Sequence, residues 1–156
     1  MNGRAVDIHV LRPSEHGAVR TLILNGLSEH WGAMDPTLNR DLEDLTAASA
    51  DATVLVVGQG REVIGTGTVV RRDELTAELV RMSVAATYRR SGLGRKLVDA
   101  LIATARSWGM KRIVLETTAD WTEVVEFYVR CGFTLTHFET GSFGRDAWFE
   151  MKLDDL

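Results

Sequence analysis

The 156 residues predict a mixed α/β fold in one domain, on three observations. Extended and helical patterns alternate from end to end. Hydrophobic residues make up 45% and charged residues 26%, the balance of a soluble globular chain, and no repeat, low-complexity tract or linker divides it. One core forms readily at this length, which leaves no room for a second independent domain.

Val6 to Leu11 is extended and β-branched. Pro13-Ser14 then opens a helical pattern to Leu27, with Val19, Leu22, Ile23 and Leu27 at helical spacing. Gly32 and Pro36 mark His30 to Pro36 as a loop. A second helix follows, capped by Thr37 or Asn39, with Leu42 and Leu45 buried and Asp41, Glu43 and Asp44 near its positive end. Thr53 to Val57 and Glu62 to Arg71 read as a β-hairpin about Gly58-Gln59-Gly60. Ala77 to Val84 is a third strand, whose alternation puts Glu78, Val80, Met82 and Val84 on one face and Leu79, Arg81 and Ser83 on the other.

Ser91 to Trp108 is the clearest helix, with Leu93, Leu97, Ala100, Leu101, Thr104 and Trp108 on one stripe, and Gly109 stops it. Lys111 to Thr117 is another strand and Thr122 to Arg130 a short helix, with Gly132 placed as its left-handed C-terminal glycine. Phe133 to Phe138 and Ala147 to Leu153 supply two late strands around a loop containing Gly141 and Gly144.

The formal charge of -4, from 18 Lys plus Arg against 22 Asp plus Glu, argues against nucleic acid as a partner and favours cationic or amine substrates. No run of about 18 apolar residues is present, so no membrane span is expected. Met1 to Val10 lacks the apolar stretch of a secretory signal, which makes the cytoplasm the expected location. The lone Cys131 cannot form an internal disulfide, and without clustered Cys or His no metal site is expected. His9, His16, His30 and His137 are scattered, none at a recognisable spacing from a Ser or Cys.

The informative stretch is Val84-Ala85-Ala86-Thr87-Tyr88-Arg89-Arg90-Ser91-Gly92-Leu93-Gly94, where a strand ends and glycines open a long helix. The first turn of a helix leaves backbone N–H groups without partners and carries partial positive charge, so it can hold a phosphate or pyrophosphate. Gly92 and Gly94 remove obstructing side chains, Ser91 and Leu93 stand on either side of Gly92 in the same turn, and Arg89, Arg90 and Arg95 add positive charge. The stretch lacks the Gly-Lys-Ser/Thr ending of a P-loop, and Arg90 stands where a dinucleotide fingerprint has its first glycine, which weakens a nucleotide reading. On spacing alone, a basic surface turn capping a helix accounts for these residues equally well.

Arg89-x-x-Gly92-x-Gly94, preceded by the strand Ala-Glu-Leu-Val-Arg-Met-Ser-Val and followed by Leu97, resembles the acyl-CoA signature of the GNAT superfamily of N-acetyltransferases. Tyr128-Val129-Arg130-Cys131-Gly132-Phe133 is similar to the Tyr-x-x-x-Gly-Phe segment that follows one strand and one helix later in that family. The resemblance follows the strand order from Val6 to Leu153 and is sharp between Glu78 and Phe133. One position departs: many members have an Asn seven residues before the tyrosine, where this chain has Trp121.

The resemblance implies a central mixed, mostly antiparallel sheet of six to seven strands with helices on both faces. It also implies acetyl-CoA as cofactor, held by Met82, Ser83, Val84 and the Arg89 to Arg95 turn, and direct transfer of the acetyl group to the primary amine of a small molecule or peptide. A backbone N–H between Met82 and Val84 would stabilise the developing negative charge, at a point where family members splay this strand from its neighbour. Tyr128 matches the tyrosine that protonates the departing thiolate. A free amine is mostly protonated near neutral pH, so a base is needed, and Glu78 resembles the glutamate that serves in some members.

Glu116, at the end of the following strand, competes for that role. It also joins Trp31 and Asp35 as a candidate acceptor-binding residue, because the loop holding Trp31 and Asp35 borders the acceptor cleft in the family. Trp31 would stack on a substrate and Asp35 would attract its amine, or Trp31 covers the core and Asp35-Pro36 only starts a helix. Trp121 and the loop Thr140 to Asp146 are further candidates, and Trp148 is read as a packed strand residue. Tyr88 is given no chemistry. Cys131 is read as packing rather than as the carrier of an acyl group. Edge strands near the C-terminus leave scope for a homodimer. The competing reading from another class is a catalytically silent acyl-CoA-binding sensor or assembly module.

Overall fold

The computed structural model describes residues 6–31, 51–89, 91–141 and 144–153. Its strands are β1 (Val6–Val10), β2 (Ala52–Gln59), β3 (Glu62–Arg71), β4 (Thr76–Val84), β5 (Arg112–Thr118), β6 (Thr134–Gly141) and β7 (Gly144–Lys152). The helices are α1 (His16–Trp31), α2 (Leu93–Ser107) and α3 (Thr122–Arg130). The strands form one seven-stranded sheet in the order β1-β2-β3-β4-β5-β7-β6. All neighbours are antiparallel except β4 and β5, which run parallel. The mixed, mostly antiparallel sheet expected from the sequence is therefore present.

α1 covers one face, where Val19 and Ile23 pack on Val56 of β2. α2 and α3 cover the other, which carries the larger core of Leu97, Leu101, Ile113, Leu115 and Phe149. The buried stripe of α2 is Leu93, Leu97, Val98, Leu101, Ile102 and Ala105, recurring at three and four residues. Ala100, Thr104 and Trp108, expected on that stripe, lie at its half-buried margin.

Several boundaries differ from the sequence reading. α1 continues through His30 to Trp31, which were expected in a loop, and it carries Gly17 and Gly26 within its span, so a glycine alone does not interrupt it. The helix expected after Thr37 lies outside the described residues. β2 runs through Gly58 to Gln59, which pairs with Glu62, so the turn is Gly60-Arg61, opened by Gly60 at φ 63°. Thr140 and Gly141 belong to β6 and Gly144 to Asp146 to β7, so the expected long loop is a tight hairpin. α2 starts at Leu93 rather than Ser91 because Gly92, left-handed at φ 88°, is its N-cap.

α3 ends as its sequence predicts. Gly132 is left-handed at φ 102°, its N–H donates to the Val129 carbonyl at 3.0 Å, and the Phe133 N–H donates to the Tyr128 carbonyl at 3.1 Å. These two bonds satisfy carbonyls that the helix end would leave open, and they fix Phe133 under the Tyr128 ring.

The important departure is in β4. Thr66 pairs with Ser83 and Thr68 with Val80, so Gly67 alone stands opposite two residues, Arg81 and Met82. That is a β-bulge, with Arg81 in the left-handed region at φ 56°. The extra residue reverses the alternation beyond it. Glu78 shares the α1 face with its neighbour Val114, and Ser83 Oγ donates to the Leu22 carbonyl of α1 at 3.2 Å. Met82 and Val84 point to the α2 face instead, Met82 against Gly67 and Val84 toward Gly94. The expectation that Glu78, Met82 and Val84 share a face is thus overturned by one inserted residue.

Gly67 makes room for the bulge. A Cβ there would fall 2.5 Å from Met82 Sδ and 2.8 Å from Leu101 Cδ1. Gly67→Ala is expected to cost about 1–3 kcal/mol through overpacking, lowering Tm by several degrees. Thermal unfolding followed by circular dichroism checks this, and an unchanged Tm would mean that Met82 and Leu101 move aside freely.

Candidate active site

The site grows from the same bulge. β4 and β5 pair only over Thr76–Glu78 with Arg112–Val114. Past that third rung the strands part, so the β5-facing edge of Leu79 to Val84 has no strand ladder among the described residues. The bulge explains the parting, since a bulged strand bends and twists more steeply than its neighbour. The result is a fork whose open edge offers backbone N–H and C=O groups to an extended ligand.

Beyond the fork, β4 turns through a 3-10 turn at Ala86–Tyr88 into Arg89, Ser91 and Gly92. Arg89 Nε donates to the Val84 carbonyl at 3.1 Å, Ser91 Oγ donates to the Tyr88 carbonyl, and Tyr88 Oη donates to Gln59 Oε1 at 2.6 Å. These bonds fix the turn. Gly92 brings no side-chain cap to α2, and the first helical bond is made by the Lys96 N–H to the Gly92 carbonyl. The N–H groups of Leu93, Gly94 and Arg95 therefore have no intrahelical acceptor and lie at the positive end of the helix. That arrangement suits a phosphate or pyrophosphate.

The structure brings Met82, Ser83, Val84, Arg89, Ser91, Gly92, Leu93 and Gly94 to one end of the sheet, with different roles from those expected for three residues. The Leu93 side chain is core, so only its backbone faces the turn. Gly94 is bare for packing: a Cβ there would meet Phe127 Cζ of α3 at 3.1 Å and Val84 Cγ2 at 3.9 Å. Arg95 reaches away, donating to the Arg130 carbonyl at the end of α3 at 3.0 Å and standing 3.5 Å from Asp99. Arg90 and Asp35 lie outside the described residues, as does the side chain of Trp31.

The contact of Gly94 with Phe127 brings α3 to the tip of β4, and Tyr128 follows. Tyr128 is 6% exposed, edge-on to Phe127 at 5.1 Å and Phe133 at 6.0 Å between centroids, and tilted on Phe149 at 6.3 Å. Burial, and secondarily Cys131, push its phenol well above the ordinary range, so it keeps its proton at all physiological pH. Cys131 is buried, and desolvation raises its thiol as well. A thiol held protonated is a poor nucleophile, in line with the packing role read from the sequence.

Glu78 and Glu116 lie on the α1 face, Glu78 beside Val114 and Glu116 one side-chain position further out along β5, past the last rung of the fork. Their surroundings differ. Glu78 is 9% exposed and holds Arg72 Nε at 2.7 Å, a partner that carried no sequence signal beyond its charge. Glu116 reaches solvent, yet its carboxyl is raised above the usual carboxylate range, first by desolvation and then by Asp146, Glu78 and Glu139, with Arg72 opposing. Trp121 stands at the N-cap of α3 without capping it through its side chain. Trp148 stacks on His137 at 6.0 Å and 3°, as the packed strand residue expected.

Two surface hollows lie elsewhere. The larger, about 650 Å³, is lined by Asp73, Glu74, Lys111, Arg112 and Lys152 at the closed end of the fork. Asp73 Oδ1 there already accepts from the Leu75 and Thr76 N–H groups. The smaller, about 350 Å³, lies over Val114, His137, Trp148 and Glu150. Neither adjoins the glycine turn. No described helix is long and apolar enough to cross a membrane.

Residues 20–133 match the model of the Acetyltransferase (GNAT) family. An IAA acetyltransferase of Azospirillum brasilense is 28% identical over 124 residues, 78% of each chain. A mycothiol acetyltransferase of Corynebacterium glutamicum is 31% identical over 85 residues, 54% of this chain, which spans only 29% of that relative's length. Among solved structures, a GNAT-family acetyltransferase from Staphylococcus aureus Mu50 superposes with a TM-score of 0.85 at 20% identity, over 96% of this chain and all of that one. Another from Elizabethkingia anophelis, with acetyl-CoA bound, gives 0.70 at 17% identity over 95% and 98%.

Glu116 also carries a stability consequence. A carboxyl raised on folding binds its proton more tightly in the folded state, so stability falls as pH rises from the ordinary 4.5 through the raised value. Glu116→Gln is therefore expected to stabilise the protein at neutral pH, with the gain vanishing below about pH 4. Urea unfolding at pH 7.5 and pH 4 measures it, and an equal gain at both would mean that charge is not the cause.

Proposed function

The chain belongs to the Acetyltransferase (GNAT) family, and from that premise we propose that it transfers an acetyl group from acetyl-CoA to the primary amine of a small molecule or peptide, by direct attack in a ternary complex. The observation that carries this is the fork: an open β4 edge leads from the uncapped start of α2 to the neighbourhood of Tyr128. A pyrophosphate with an extended arm is the ligand this arrangement fits. Acetyl-CoA supplies an activated thioester when bound.

The chain's own groups divide the work. The N–H groups of Leu93 and Gly94 hold the pyrophosphate, with Arg89 and Arg90 adding positive charge. The open edge of Met82, Ser83 and Val84 pairs with the arm, and one of its N–H groups donates to the carbonyl oxygen on which charge builds. Tyr128, which keeps its proton, gives it to the departing sulfur. On the α1 face, Glu116 takes the amine proton directly or through water, because its raised carboxyl is closer in affinity to an amine near neutral pH. Glu78, committed to Arg72, holds negative charge beside it and favours a cationic acceptor.

Tyr128→Phe is expected to lower kcat by about 10²–10⁴-fold with little change in acetyl-CoA affinity. Thiol release with an amine panel, set beside calorimetric titration of acetyl-CoA, measures both. Unchanged turnover removes Tyr128 from the acid role, and tight binding without turnover on any amine would point to an acyl-CoA sensor instead.

Gly92→Val should act on the other parameter. Its branched side chain enters the phosphate turn at a position of φ 88°, so acetyl-CoA affinity should fall at least about tenfold. Unaltered affinity in the folded variant would contradict the site.

A further inference from the structure

Glu116 stands among carboxylates drawn from three other strands. On the α1 face, Glu78 of β4 lies beside Val114, one side-chain position short of Glu116. Asp146 of β7 pairs with Thr118, one position past it, and Glu139 of β6 pairs with Asp146. His137 stacks on Trp148, which pairs with Glu116, and meets Glu139 at 3.0 Å. Desolvation first, and these three carboxylates next, raise the affinity of Glu116 for a proton. A carboxyl that keeps its proton cannot take one from an amine, so the proposed base needs a positive charge on this face.

Arg72 supplies it. Val70 of β3 pairs with Glu78, so Arg72, two residues on, lies diagonally across from Glu78 on the same face. Its Nε donates to Glu78 Oε1 at 2.7 Å, and its charge also opposes the carboxylates at Glu116. Other described cations nearby are engaged elsewhere. Arg71 lies on the opposite face over Trp108 at 5.3 Å, and Arg145 on that face over Phe138 at 4.1 Å. Arg112 donates to Thr76 Oγ1 at 3.0 Å and stands 3.7 Å from Glu150.

The root of Arg72 is braced as well. Its N–H donates to the Thr76 carbonyl at 2.9 Å, while Asp73 Oδ1 accepts from the Leu75 and Thr76 N–H groups at 2.8 and 2.7 Å. The Leu75 carbonyl accepts in turn from the Lys111 and Arg112 N–H groups, which ties the turn between β3 and β4 to the start of β5. A side chain that starts from a fixed turn loses less entropy in holding its partner.

Resting on the reading of Glu116 as the base, we propose that Arg72 is a positioning residue for the reaction: it pins Glu78 beside the opening of the fork and offsets the carboxylates around Glu116, so that Glu116 can accept the amine proton. Without Arg72, Glu78 loses its anchor and Glu116 faces the cluster unrelieved.

The test separates proton binding from turnover. Carbon-13 NMR of the glutamate carboxyls follows Glu116 in the free protein, its signal identified by its loss in Glu116→Gln. Arg72→Gln should move the Glu116 titration to higher pH, with proton affinity about threefold or more above the parent, because a positive charge is lost beside a carboxylate. Arg72→Lys keeps that charge and should bring the titration back to within about twofold. Glu78→Gln should move it the opposite way. Turnover is read by thiol release from acetyl-CoA with benzylamine, ethanolamine and 1,4-diaminobutane. At saturating amine, Arg72→Gln should lose about threefold or more of kcat on the acidic limb and recover it at high pH, which a loosened fold would not do. An unmoved titration in an Arg72→Gln protein of normal Tm, or one that moves without the kcat limb, overturns the role of Arg72 and leaves the base reading standing. Full turnover by Glu116→Gln overturns the base reading itself, and the role of Arg72 with it.

Discussion

The parallel pairing of β4 and β5 stops after three rungs, and the rest of the site depends on that stop. Its cause is a single extra residue. With Arg81 left-handed and Gly67 bare beneath Met82, β4 bends away from β5 and its last residues lose a neighbour on one side. A left-handed non-glycine residue costs of order 1 kcal/mol or more, and it persists only where the surroundings over-determine it. Here the β3 ladder on one side and Leu97 and Leu101 of α2 beneath do so. The open edge is thus held rigidly by the core.

The second constraint is the closeness of α2 and α3. Gly94 lets Phe127 approach the first turn of α2, and Arg95 ties the same turn to the Arg130 carbonyl at the end of α3. The paired bonds at Gly132 then close α3 against Phe133, so Tyr128 has aromatic rings on three sides. Residues that look like phosphate contacts in the sequence are in part packing contacts, and they serve the site by fixing the distance between its halves.

Much of this was legible beforehand, and the failures have a common origin. α3 was read to the residue, because its apolar spacing, an acidic first turn and Gly132 agree. The glycine-opened helix was read nearly as well. The face of Met82 and Val84 was read wrongly, since period-two reasoning holds only while the ladder is regular and the bulged residue is an arginine. The glycine that marks the bulge lies across the ladder, on β3. The pairing of Glu78 with Arg72 was also hidden, because a bend of the chain rather than a sequence pattern brings the two together. Boundaries failed where a strand or helix ran on past a residue that was read as a breaker, as β2 did at Gly58.

The corrected phase gives the fork a further meaning. Glu78 and Glu116 lie on the α1 face and Tyr128 on the α2 and α3 face, so a continuous sheet would stand between proton acceptor and proton donor. Under the proposed reaction, the amine must lose a proton on one side while the sulfur gains one on the other. Only where β4 and β5 part can a reacting group reach both. Burial keeps the phenol loaded with its proton, while desolvation and then the neighbouring carboxylates raise the affinity of Glu116 for one, which suits the two groups to opposite transfers under the proposed reaction. Under that proposal the gap in the sheet serves both as the cradle for the donor's arm and as the passage that joins two chemically distinct faces.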